Sequence, residues 1–315
     1  MLSRIAESLF WIGRYVERAD DTARILDVHL QLLVEDPWAD EDTACRSLLA
    51  VMGVPVEADH SEPVGREDVL VRLAFGPATG SIVGSLRAAR ENARRARETV
   101  STEMWGCLNT TWNALPDLES RPPDIHRFFG WVRERAAIVA GIADATMSRN
   151  DPWHFLVLGR SIERADMTAR LLATRALVST SGLAWPVLLR SCGAYEAFLR
   201  TYRGVATDRH AAEFLLLDRL FPRSIVHALQ QGEQCLSQLS AAEQYNDRRI
   251  GVRDDARRLL GRTRTDLEYR ALAEVVADLP EEMDRVQRAC TAASDVIASR
   301  YFPHGAATSW VTEYS

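Results

Sequence analysis

The chain has 315 residues, 47% hydrophobic and 26% charged, with a formal net charge of −6, which suits one large soluble globular domain or two ordinary ones. The acidic balance argues against general nucleic-acid affinity, no apolar run reaches the roughly 18 residues of a membrane span, and Glu7, Arg14 and Glu17 come too early for a signal peptide, so a cytoplasmic protein without membrane attachment is expected. All 38 basic residues are Arg, which excludes a lysine Schiff base, a P-loop lysine and any catalytic lysine.

Ser3 can cap a first helix that runs to about Leu33, with Pro37 beyond it. Its apolar face is Leu9, Ile12, Val16, Ala19, Ala23, Leu26, Leu30 and Leu33, at alternating steps of three and four. Thr43–Met52 reads as a short helix closed by Gly53, Val54–Arg66 as a loop, and Glu67–Phe75 as another short helix. Gly76–Gly80 is a turn, after which Ser81 caps a long helix to about Trp112. Leu115–Asp124, with three prolines, is a linker, and Ile125–Met147 is a helix. Helices follow at Trp153–Val178, Pro186–Tyr202 and Ala211–Leu217, then a turn at Phe221-Pro222-Arg223 and a helix at Ser224–Leu239. Gln244–Asp254 is a polar loop, Asp255–Ala277 and Pro280–Tyr301 are helices, and a tail starts at Pro303. No stretch alternates with period two over a useful length.

The segment Gly13–Arg24 recurs. Aligned at an offset of 146, it matches Gly159–Arg170 at nine of twelve positions: Gly, Arg, Glu, Arg, Ala, Asp, Thr, Ala and Arg. Ser81-Ile82-Val83 matches Ser224-Ile225-Val226, and Leu48-Leu49 with Gly53 matches Leu188-Leu189 with Gly193. The expected architecture is all-α: a helical bundle of two tandem pseudo-symmetric repeats of about 150 residues. Residues 1–150 form the first, 151–302 the second and 303–315 a tail, the repeats making one compact domain. The helices Phe10–Leu33 and Phe155–Val178 are expected to pack together near a pseudo-twofold axis.

The shared charges lie off the apolar stripe. Neighbours on a helix such as Glu17 and Arg18 point about 100° apart and cannot simply pair, so each needs a partner on another helix, in solvent or on a ligand. Solvated charges have no reason to recur, so Glu17 and Glu163 are expected to be buried against Arg side chains from other helices, in a network that is structural or holds an anion. The two glutamates are the candidate catalytic groups. Candidate ligand-binding residues are Arg14, Arg18, Arg24, Arg160, Arg164, Arg170 and Arg223, with Arg90, Asn92 and Arg94. The last three belong to a basic stripe, Arg87, Arg90, Arg94 and Arg97, at i, i+3, i+7 and i+10. Such a stripe is either a solvated face softened by Arg–Glu pairs or, beside the Glu-Arg helix, an anion site, since guanidiniums bind carboxylates and phosphates bidentately. The second half has Gln230-Gln231-Gly232-Glu233-Gln234 instead, which suggests one ligand site. Arg223 can face a ligand or pair with Glu17 or Glu163.

No metal or cofactor is expected. The seven histidines stand apart, with no His-Glu-x-x-His or Glu-x-x-His, and neither Gly-x-Ser-x-Gly nor a dinucleotide fingerprint is present. The five cysteines are odd in number and scattered, which reads as small buried apolar residues in a reducing compartment.

Gly13-Arg14-x-x-Glu17-Arg18-Ala19-Asp20-x-Thr22-Ala23-Arg24, its copy, Ala89–Arg94 through Met104-Trp105, and Phe221–Ile225 resemble the alpha-E family over nearly the whole chain. This is a family of bacterial all-helical proteins named for a repeated Glu-Arg motif. Met167 departs from Asp21 in the second copy, which makes Asp21 a poorer candidate than Asp20. The resemblance implies partners: a circularly permuted ATP-grasp ligase and a transglutaminase-like protease, in a system that makes or modifies an amide- or peptide-linked metabolite. Two functions are then open. The chain handles a carboxylate- or phosphate-bearing substrate, an anionic small molecule or peptide, through its Arg/Glu clusters; or it is a non-catalytic scaffold that positions the ATP-grasp partner.

Overall fold

A computed structural model describes residues 2–35, 40–55, 63–115, 124–174, 185–203, 207–240 and 254–303. The described residues are helical and include no strand. The expected loop over 244–253, the linker prolines, the end of the helix at Val178 and the tail from 304 lie outside them.

Helix α1 (Ser3–Glu35) is the axis of the molecule. From Leu9 to Leu26 its buried side chains cover more than one stripe, because polar Glu17, Asp20, Asp21 and Thr22 are buried with the apolar ones. Helix α7 (Asp151–Thr174) is its principal neighbour. The two run side by side in the same direction: Arg14 and Arg18 meet Glu163, and Glu17 meets Arg164, at near-constant sequence separation. They touch at their glycines. A Cβ on Gly13 would lie 2.0 Å from the Leu156 carbonyl oxygen, and one on Gly159 would lie 2.0 Å from that of Phe10. Only glycine allows backbones this close.

Helices α2 (Glu41–Val51), α3 (Arg66–Val69, continued by a π-helical turn Leu70–Phe75), α4 (Ile82–Arg95), α5 (Thr102–Asn113) and α6 (Ile125–Thr146) complete the first half. In the second, α8 (Trp185–Ser191), α9 (Tyr195–Tyr202), α10 (Asp208–Leu217), α11 (Ile225–Leu239), α12 (Asp255–Tyr269), α13 (Leu272–Ala277) and α14 (Leu279–Tyr301) follow α7. α4 and α6 pack on α1, and α11 and α14 on α7. One cluster of buried apolar side chains draws residues from both halves, with Phe302 packed between Phe10 and Phe155.

Three helices expected to be continuous are broken. The helix over 81–112 stops at Ala96 and restarts when the Ser101 hydroxyl accepts from the Met104 N–H, a serine N-cap inside a run of helix formers. The helix over 186–202 breaks at Gly193, whose φ of +61° is a left-handed conformation suited to glycine. The helix over 255–277 breaks at Arg270, which turns extended while its guanidinium bonds Glu282 at 2.5 Å.

Candidate functional site

The periodicity of α1 and α7 turns their charged flanks toward each other, and each glutamate is taken up by the opposite helix. Glu163, 1% exposed, accepts from Arg14 Nε at 2.6 Å and from Arg18 Nε at 2.5 Å, with Arg18 Nη2 at 3.0 Å. Arg14 also donates to Ser294 and Arg18 to the Thr79 carbonyl. Glu17, 4% exposed, accepts from Arg164 Nε at 2.6 Å, and Arg223 Nη1 lies 2.7 Å from the same carboxylate. Both glutamates are thus buried and bonded to arginines from elsewhere, as expected.

Arg24 pairs with Asp20 at 3.0 Å and Arg170 with Asp166 at 2.8 Å, each one turn along its own helix. The tips of these two arginines meet the left-handed glycines: Arg24 lies over Gly193 and Arg170 over Gly53. Ser81 and Ser224 cap α4 and α11 from their hydroxyls. The second cap holds the turn that carries Arg223, whose carbonyl accepts from Thr168 at 3.1 Å.

Charge decides what the glutamates can do. Burial alone would raise the Glu163 carboxyl, but Arg14 and Arg18 outweigh it and hold it at about 2. Burial opposes ionisation of Glu17 too, and Arg164 with Arg223 brings it to about 2. Asp21 goes the other way. Burial raises it, Arg223 only partly compensates, and the nearby Glu17 and Asp20 carboxylates push it up to about 8. Asp166 is raised by burial against the pull of Arg170.

Arg223 donates to both Asp20 and Asp21 while touching Glu17. Oxygens of these three carboxylates lie within 4.8 Å of one another, a grouping that a metal ion could use. A guanidinium sits among them instead, so an ion would have to displace Arg223. Asp21 ranked below Asp20 on sequence, yet it shares this arginine equally. The signal that links them is visible in the chain: where the second copy has Met167 for Asp21, the matching turn before Ser81 has Gly80 for Arg223. The extra acid and the extra base come together.

Asp21→Asn tests that assignment. A carboxyl with a folded pKa near 8 and an ordinary value of 3.8 stays protonated in the folded chain after it has ionised in the unfolded one, so its contribution falls as pH rises between the two. The stability of Asp21→Asn relative to the parent should therefore rise from pH 5 to pH 8 in urea titrations. A pH-independent difference would contradict the assignment.

Arg90, Asn92 and Arg94 do not join this network. Arg90 bonds Asn109 and Glu91, Arg94 bonds Glu91, and Asn92 bonds the Ala88 carbonyl. Arg97 and Arg90 stand over the Trp105 ring, and Arg87 bonds the Pro77 carbonyl. Among the described residues, no hydrogen bond or ion pair joins the stripe to the Glu17–Glu163 network. The reason is packing: α4 buries Ala89 and Ala93 and leaves Arg87 and Arg94 exposed. Arg160 lies near Glu17 and Arg164 but is bonded to neither. It is half-buried, with no hydrogen bond or ion pair among the described residues, and burial and the neighbouring Arg164 lower its pKa.

Residues 1–302 match the model of a family, Alpha-E, described as a predicted alpha-helical domain with a conserved ER motif. The chain belongs to the Alpha-E family. The Glu-Arg pairs that define this Alpha-E protein on sequence are the ones crossing between α1 and α7. Among similar proteins are uncharacterized proteins of Mycobacterium bovis and Mycobacterium tuberculosis, each 25% identical over 254 residues, covering 72% of this chain and 29% of theirs. The chain thus spans less than a third of the length of these relatives. No solved structure matches it. No helix among the described residues is long and apolar enough to cross a membrane, and the five cysteines are buried and unbridged.

Proposed function

We propose that this Alpha-E chain is a non-catalytic helical scaffold that binds and positions an ATP-grasp-type amide or peptide ligase in the cytoplasm, alongside a transglutaminase-like protease. The state of Glu17 and Glu163 carries this reading. A general base needs a pKa near the working pH and an oxygen within reach of substrate. Both glutamates are buried, held ionised near 2, and engaged by guanidiniums. The backbones at Gly13 and Gly159 are in contact, so no substrate-sized space separates the helices there. On this reading Arg14, Arg18, Arg24, Arg164, Arg170 and Arg223 are countercharges that fix one arrangement of α1 and α7, a use of buried ion pairs attested in other folds. We also read the chain as a tandem duplication. The reciprocal Arg18–Glu163 and Arg164–Glu17 pairs support this, as do the Gly53–Arg170 and Gly193–Arg24 contacts.

One residue favours the second reading, in which the chain itself handles a carboxylate- or phosphate-bearing intermediate: Arg160, a half-buried guanidinium with no bonded partner among the described residues. Both readings are tested by mixing the purified chain with a circularly permuted ATP-grasp ligase from the same organism. Light scattering after size exclusion reports the complex, and ATP turnover reports the ligase. The scaffold account expects a stable complex whose turnover survives Arg160→Gln. No complex, or turnover abolished by Arg160→Gln in an intact complex, would overturn it.

A further inference from the structure

The helices α11 and α12 border an open polar hollow of about 380 Å³, within the size range of small-molecule sites. α11 supplies Gln230, Gln234 and Gln238, one turn apart on one face, and α12 supplies Arg257 and Arg264. Glu233 stands opposite Gly261, where a Cβ would lie 3.2 Å from its carboxylate carbon, so the missing side chain makes room for the carboxylate. Arg264 donates to Glu233 at 3.1 Å and to Glu268, and Glu268 also pairs with Arg219 at 2.8 Å. Arg257 is different. Its Nε is shut off from solvent and bonds no acceptor among the described residues, and Glu233 Oε1 is 4.0 Å away. Three guanidiniums therefore share two carboxylates, with one buried N–H left over, and an unmade hydrogen bond at a buried donor is costly.

We propose that this hollow binds a small molecule with one free carboxylate next to an ammonium or amide group: an amino acid or short peptide. Its carboxylate sits on the terminal nitrogens of Arg257, which lines the hollow, is partly exposed, and has only a long ion pair with Glu233 among the described residues. Its N–H groups face Glu233 and the glutamine carboxamides, which both donate and accept. Inorganic phosphate fits worse, because Glu233 and Glu268 repel a second negative charge. A shallower hollow of about 820 Å³ over α12 shares Glu233, Arg257 and Arg264, giving a peptide room to continue. Leu220 and Tyr269, 88% and 84% exposed, each follow one member of the Arg219–Glu268 pair in the chain. They offer apolar surface at that end.

This proposal stands apart from the scaffold reading, since none of the lining residues belongs to the Glu17–Glu163 network between α1 and α7 and ligase binding is measured separately. The test is isothermal titration of the full chain with L-alanine, L-alanyl-L-alanine, the C-terminal amide of that dipeptide, and inorganic phosphate. The free-carboxylate dipeptide should bind with Kd of about 1 mM or tighter, and its amide at least about tenfold more weakly, a difference of about 1.4 kcal/mol. L-Alanine binding as tightly as the dipeptide assigns the site to amino acids; weaker binding assigns it to peptides. Arg257→Gln should cost the dipeptide a similar factor while its ligand-free melting temperature stays within about 2 °C of the parent, because among the described residues the Arg257 side chain makes no hydrogen bond and only one long ion pair, with Glu233 at 4.0 Å. Equal binding of acid and amide, unchanged binding in Arg257→Gln, no heat with any probe at roughly 10 mM, or phosphate binding best would overturn the proposal.

Discussion

Glu163→Ala should lower the unfolding free energy by about 3–5 kcal/mol, the usual cost of removing one partner from a buried ion pair. The loss is large because two guanidiniums depend on this one carboxylate. Arg14 and Arg18, 12% and 20% exposed, would keep only Ser294 and the Thr79 carbonyl as hydrogen-bond partners among the described residues, and neither of those is charged. Urea denaturation at pH 7 measures the change. The same pairs make the fold acid-sensitive. Glu17 and Glu163 titrate near 2 in the folded chain against an ordinary 4.5. Their contribution is therefore complete above 4.5 and is lost as pH falls toward 2. Glu163→Gln should flatten that part of the stability–pH curve relative to the parent.

Gly13→Ala should destabilise the chain by roughly 3 kcal/mol, the upper end for an overpacked core. The sign is the informative part. In an unconstrained helix, alanine is better than glycine by about 1 kcal/mol. At Gly13 the added methyl meets the Leu156 carbonyl at 2.0 Å, a backbone atom that cannot rotate away, so α1 and α7 must separate. Separation also lengthens the Arg18–Glu163 and Arg164–Glu17 bonds. Gly141→Ala, in α6 with nothing within 4 Å of its Cβ, is the control and should stabilise by up to about 1 kcal/mol. Equal and favourable shifts at both positions in thermal melts would mean that the glycine contact is not close.

Much of this arrangement was legible in the chain, for identifiable reasons. The stripe from Leu9 to Leu33 announced α1, and the recurrence of Gly, Glu and Arg in a second helix announced that the polar flank is covered as well. Arg223 was readable as a partner for Glu17 because it stands just before a serine cap. The helix breaks were not legible. Ala96 to Ser101 has no proline or glycine, and the break rests on one hydroxyl accepting the Met104 N–H. What the Arg87–Arg97 stripe meets was not legible either, for a different reason. Periodicity places charges on a common face but does not say what that face meets, and here the alanines of α4 take the buried side and leave the arginines to Glu91, Asn109 and Trp105. The hollow between α11 and α12 was hidden because its lining comes from two segments about 30 residues apart in the chain.

On the scaffold reading, the Glu-Arg motif is a structural lock between α1 and α7. A double-mutant cycle on Arg18 and Glu163, using Arg18→Gln, Glu163→Gln and the pair in urea at pH 7, tests it most directly. The lock predicts a coupling energy of about 2 kcal/mol or more, as for close, desolvated charge pairs. A coupling below about 0.5 kcal/mol, the range of solvent-exposed pairs, would contradict it.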